Sequence, residues 1–89
     1  MLDSCVRTLR RVLALSTAAG DDVVPATVEL SEDPVLRGHQ AVAVSPLGPG
    51  DRQRLLEASS PEDRVALLHT LLDEQLDVLR RRIALEQES

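Results

Sequence analysis

Ser59–Glu88, SSPEDRVALLHTLLDEQLDVLRRRIALEQE, decides the fold. Ser60 can cap the first turn of a helix, Pro61 carries a φ already set for the first helical position, and Glu62 and Asp63 put negative charge at the positive end of the helix dipole. Apolar residues then recur at Val65, Leu68, Leu72, Leu76, Leu79 and Ile83. Spacings of three and four lay these side chains in one stripe along a helix. A flanking row, Leu67, Leu71, Val78 and Leu85, widens it. Such a helix is roughly 40 Å long at about 1.5 Å per residue. It cannot bury this face alone, so the preceding residues must fold back on it or a partner must cover it.

Those preceding residues read as three shorter helices. Cys5, Val6, Leu9, Val12, Leu13 and Ser16 fall on one face of a first helix, opposite Arg7, Arg10 and Arg11. Gly20 suits a left-handed cap at its end. Val23–Leu30 is rich in β-branched residues, but Pro25 interrupts it and no second strand is in view, so an extended connector is expected. Ser31 or Asp33, followed by Pro34, opens a second helix whose buried side is expected to carry Val35, Leu36, His39, Val42 and Ala43, with Gly38 admitting a close neighbour. Ser45-Pro46 stops it. After LGPG, Asp51–Ala58 gives a short third helix with Leu55 and Leu56 inward. The expected fold is all-α: a single domain, residues 1–89, with helices at about 3–18, 33–45, 50–58 and 60–87.

Composition narrows the function classes. The chain has 89 residues, a net charge of −5 and no Phe, Tyr or Trp. A core of Leu, Val, Ala and Ile lacks the contact area aromatic rings supply, and a domain this small buries only about 60 per cent of its unfolded surface. Acidity disfavours a nucleic-acid backbone or an anionic membrane as partner. Arg80–Arg82 reads as a solvated cluster near a helix C-terminus. No apolar run approaches the roughly 20 residues of a membrane span. Val12–Leu15 is too short for the apolar segment of about 7–15 residues in a secretory leader, and the single cysteine fits a reducing compartment, so a cytoplasmic protein is expected.

Chemistry has few candidates. Cys5 lies on an apolar helix face, His39 at a core edge, and no third group orients either them or His69 as base and nucleophile. His69 and Asp73 form a lone i, i+4 pair, and no HxxxH, CxxC or phosphate-binding glycine loop occurs. The reading is therefore non-enzymatic, with no catalytic residue, cofactor or metal assigned.

The tract Asp33–Leu85, above all PLGPGDRQRLLEASSPEDRVALLHTLLDEQLDVLRRR at Pro46–Arg82, resembles the C-terminal helical part of the Lon protease N-terminal, substrate-binding domain. That family has a helix opening with Asp-Pro, a Pro-Leu connector, an Asp-Arg/Lys-Gln-x-Leu-Leu-Glu helix, a Ser/Pro/Asp break and a long leucine-rich helix. Here these stand as Asp33-Pro34, Pro46-Leu47, Asp51–Glu57 and Ser59 onward, and CVRTLRRVLALSTAAG is similar to the helix and spacer that come before. The resemblance implies a module that binds protein, either a client or a β-rich partner chain standing in for the β-rich subdomain that this sequence lacks. Lon proteolysis uses a Ser–Lys dyad and its ATPase a phosphate-loop lysine, whereas this sequence has no lysine. Leu76, Leu79, Ile83, Val78 and Leu85 are the expected partner-binding residues. The alternatives are a self-association module, in which the same segment pairs with its copy as a homodimer, or a truncated fragment without a role of its own.

Overall fold

A computed structural model describes residues 1–88, and all of its regular structure is helical. The helices are α1 (Leu2–Ala18), α2 (Pro34–Val44), α3 (Pro49–Leu56) and α4 (Pro61–Glu88). Among the described residues there is no strand; Val23–Leu30 is a connector, as expected, but it is not extended throughout, for the Val28 N–H donates to the Pro25 carbonyl across a turn at Ala26-Thr27. The long axis of 44 Å is that of α4, whose 28 residues account for about 42 Å of it.

α1 lies along α4, and the two run parallel. Leu2 shares a cleft with Glu62 and Val65, Thr8 meets His69, and the residues just after α1 meet Arg82. The core forms along this seam. Cys5, Leu9, Val12 and Leu13 of α1 pack with Leu68, Leu71, Leu72, Leu76 and Leu79 of α4, and α2 and α3 add Ala41 and Leu55. Burying a leucine side chain is worth about 1.5–3 kcal/mol, so an aromatic-free core depends on filling every such position.

Parallel helices cannot be joined by a tight turn, and the chain must travel back the length of α1. Its end is sharply defined. Gly20 adopts φ +88°, its N–H donates to Thr17 and that of Asp21 to Ser16, a Schellman arrangement that uses up the last carbonyls. The connector then returns beside α1, held by Arg10, whose Nη1 donates to the carbonyls of Ala26 and Val28 at 2.7 and 2.8 Å. Val23, Ala26 and Val28 pack their side chains on the core beneath. Asp33 caps α2 by accepting from the N–H groups of Val35 and Leu36, and Ser60 caps α4 through the Asp63 N–H.

The second and third helices depart from expectation in orientation. Val35, Leu36, His39 and Ala43 face solvent, Val42 is half-buried, and Ala41 is the buried apolar residue of α2. Polar ties set this rotation. Arg37 donates to the Leu30 and Ser31 carbonyls and the Gln40 side chain accepts from the Ser31 N–H, which turns the 37–40–41–44 side toward the connector and core. Gly38 admits no close neighbour, for a methyl group there would meet nothing within 4 Å. α3 begins two residues before Asp51, at Pro49. It buries Leu55 while Leu56 is 69% exposed, since consecutive residues on one short helix point about 100° apart.

Candidate docking surface

Uncovered apolar residues lie at both ends of α4. The distal region carries part of the expected partner-binding set. Leu76 and Leu79 are buried in the α1–α4 seam and Ile83 is half-buried, while Val78 and Leu85 are 52% and 67% exposed. Residues seven apart return to nearly the same side of a helix, so Leu71, Val78 and Leu85 form one row. Leu71 is covered, and further along α4 the row emerges into solvent. The five residues therefore do not form one surface; they split between a core and a narrow exposed stripe.

Arg82 closes the core side of this end. Its guanidinium donates to both carboxylate oxygens of Asp21 at 3.0 and 3.2 Å and to the Ala19 carbonyl at 3.1 Å, tying the cap of α1 to α4. The hydrogen bonds from Arg82 hold the Asp21 carboxyl below its ordinary value and raise the guanidinium in return. Of the arginine triplet, Arg80 and Arg81 remain exposed.

The proximal region is larger and was not legible in the sequence. The first turns of α1, α2 and α4 converge on an open cleft of about 350 Å³, lined by Met1, Leu2, Pro34, Val35, Pro61 and Val65, with Glu62 at its edge. Val35 is 64% exposed and Met1 73%. A small cavity of about 50 Å³ shares Pro34, Val35, Pro61 and Val65 with the cleft and is also lined by Gly38, His39, Val42, Arg64 and Leu68. The available signal was the apolar run Pro34-Val35-Leu36 directly after a capping aspartate, which suits either rotation of α2.

The remaining chemical groups are held apart. Thr8 Oγ1 lies 3.2 Å from His69 Nε2, and His69 lies 3.7 Å from Asp73. Among the described residues no three His, Cys, Asp or Glu side chains gather as metal ligands do. Cys5 is fully buried, and burial, with the Asp73 carboxylate adding to it, pushes its thiol from 9.0 up to about 11. Iodoacetamide at neutral pH is expected to label Cys5 at least tenfold more slowly in the folded chain than in urea, because the thiolate is the nucleophile. A raised folded pKa also contributes stability that is complete below pH 9 and lost as pH climbs through about 11. Urea unfolding at alkaline pH should show that loss in the wild type and not in Cys5→Ala.

The chain matches no family model, no curated protein and no solved structure. Among the described residues no helix is long and apolar enough to cross a membrane.

Proposed function

We propose that this chain is a non-enzymatic protein-recognition module of the cytoplasm, related in its helical unit to the substrate-binding domain of Lon. The observation that carries the reading is the proximal cleft. Three helix starts leave Met1, Val35 and Pro61 in solvent beside Leu2 and Val65. Open apolar surface is costly for a small chain, and a concentrated patch rimmed by polar groups marks a site of interaction. The accessible surface, 5598 Å², exceeds the roughly 5,100 Å² of a compact protein of 9.7 kDa, which leaves area to be covered by a partner.

The test is a binding titration with a reduced, carboxamidomethylated protein that cannot fold, against the same protein in its native form. The unfolded protein is expected to bind saturably, with Kd of about 10 μM, and Val35→Asp should weaken it at least fivefold. Absence of saturable binding, or equal binding of the native form, would reject a client-recognition role. A second reading, self-association, is favoured by the row Val78 and Leu85. Light scattering decides it: a mass that stays at 9.7 kDa over a wide concentration range excludes the homodimer.

A further inference from the structure

We infer that the proximal cleft takes an amphipathic helix whose apolar face is flanked by lysine or arginine; this rests on the recognition role proposed above and specifies its partner. The cleft has an apolar floor and an acidic surround. Glu62 stands at its edge, and Asp3, Glu32, Asp33 and Asp63, each within two residues of a lining position, are all exposed. Among the described residues none of these carboxylates is in an ion pair. Arg37 and Arg64, the nearest guanidinium groups on α2 and α4, are directed to the carbonyls of Leu30, Ser31 and Leu55. These guanidinium groups and the Met1 ammonium keep their charge and offset part of the acidity, but the five carboxylates outnumber the three cations, so the surround is net negative and a cationic rim on the incoming chain complements it.

The conformation of that chain follows from the walls. Helix starts line the cleft; those of α2 and α4 are capped by Asp33 and Ser60, and that of α1, which has no side-chain cap, offers N–H donors but no alternating edge of donors and acceptors. An extended peptide has no sheet edge to join, so its own N–H and C=O groups would be left unpaired against Val35 and Val65. A helix satisfies its backbone itself and presents apolar side chains at i, i+3 and i+4. A cleft of about 350 Å³ is at the small end of binding sites, room for a few side chains from one helical face.

Two labelled model peptides of about 14 residues, long enough for marginal helicity, supply the probes. Both carry leucines at three- and four-residue spacing; one has lysine at the polar positions and the other glutamate. Titrated into the isotopically labelled full chain, the lysine peptide is expected to shift the amides of Leu2, Asp3, Val35, Leu36, Glu62 and Val65. It should bind at least tenfold more tightly than the glutamate peptide and weaken severalfold in high salt. Val35→Asp should remove the hydrophobic contact and cut binding about tenfold; the pair Asp3→Lys and Glu62→Lys should reverse the preference between peptides. Equal affinity for the two peptides at these amides would sink the cationic partner while sparing the recognition role. Shifts elsewhere on the chain would overturn the site. The same amides shifting with protein concentration alone, as the mass rises, would make a second copy the occupant and overturn the inference.

Discussion

Aspartate at both Leu76 and Leu79 is expected to unfold the chain. Both leucines are buried in the α1–α4 seam, at 5% and 0% exposure, among Leu9, Val12, Leu13 and Leu72. Each replacement removes about as much packing as a leucine-to-alanine change, about 2–5 kcal/mol, and places a carboxylate where no cation is within the core. A domain of this length has about 4–13 kcal/mol of total stability at the usual 0.05–0.15 per residue, and the double substitution exceeds most of that range. Far-UV circular dichroism should show helix content collapsing to that of a denatured chain. The matched pair Val78→Asp and Leu85→Asp sits two residues and six residues further along the same helix, on exposed positions, and is expected to change stability by less than about 1 kcal/mol. The contrast separates core from surface on one helix. Retention of native helix content by the Leu76/Leu79 variant would mean that α1 does not cover α4 as described.

The same contrast shows what could be read in advance. The face of α1 from Cys5 to Ser16 was legible in full, because a helix with three arginines on one side and six small or apolar residues on the other has a single rotation that buries apolar surface. The caps at Gly20, Asp33 and Ser60 were legible for a local reason, since each is decided by residues within one turn. On α4 the apolar stripe was clear, yet it is broader than α1 can cover. Which leucines serve the core and which face solvent depends on where α1 and the short helices end, and that is a tertiary fact. α2 is the opposite case. PVLRGHQAVAV has apolar residues on nearly every side, so periodicity could not choose between the Val35–Leu36–His39 face and the Ala41–Val44 face. Hydrogen bonds donated by Arg37 to the connector and accepted by Gln40 from it hold the other rotation, which exposes the residues that line the proximal cleft. The site was hidden for the same reason that α2 was misoriented.

The way α2 is held leads to the second large effect, at Arg52. Its guanidinium reaches back from α3 to the end of α2, with Nη2 donating to the Ser45 carbonyl at 2.6 Å, Nη1 to Val42 at 3.2 Å and Nε to Leu47 at 3.3 Å. Ser45 has left the helix, with ψ of 132° ahead of Pro46; its own N–H and Oγ reach back to the Val42 and Ala41 carbonyls, while the carbonyls of Ser45 and Leu47 lie beyond the helical ladder. One planar side chain supplies three donors, to the last turn of α2 at Val42 and to the turn that follows it at Ser45 and Leu47, and so ties α3 to the end of α2. Hydrogen bonds to a charged group contribute about 1.5–3 kcal/mol each when removed from a buried site. Partial exposure here, and water reaching the freed carbonyls, reduce the total for Arg52→Ala to about 2 kcal/mol. For a domain of this size that is a fall of roughly 10 °C in Tm. Arg52→Lys keeps the charge near the helix end but places one compact ammonium where three directions must be served, so it should recover less than half of the loss. Hydrogen exchange adds the local readout: both variants should speed exchange at the C-terminal turn of α2 and at Leu47, while the α1–α4 seam stays protected. Full rescue by lysine would show that Arg52 acts only through its charge on the helix dipole, and an unchanged Tm in Arg52→Ala would show that the α2–α3 junction is held by something other than this fork.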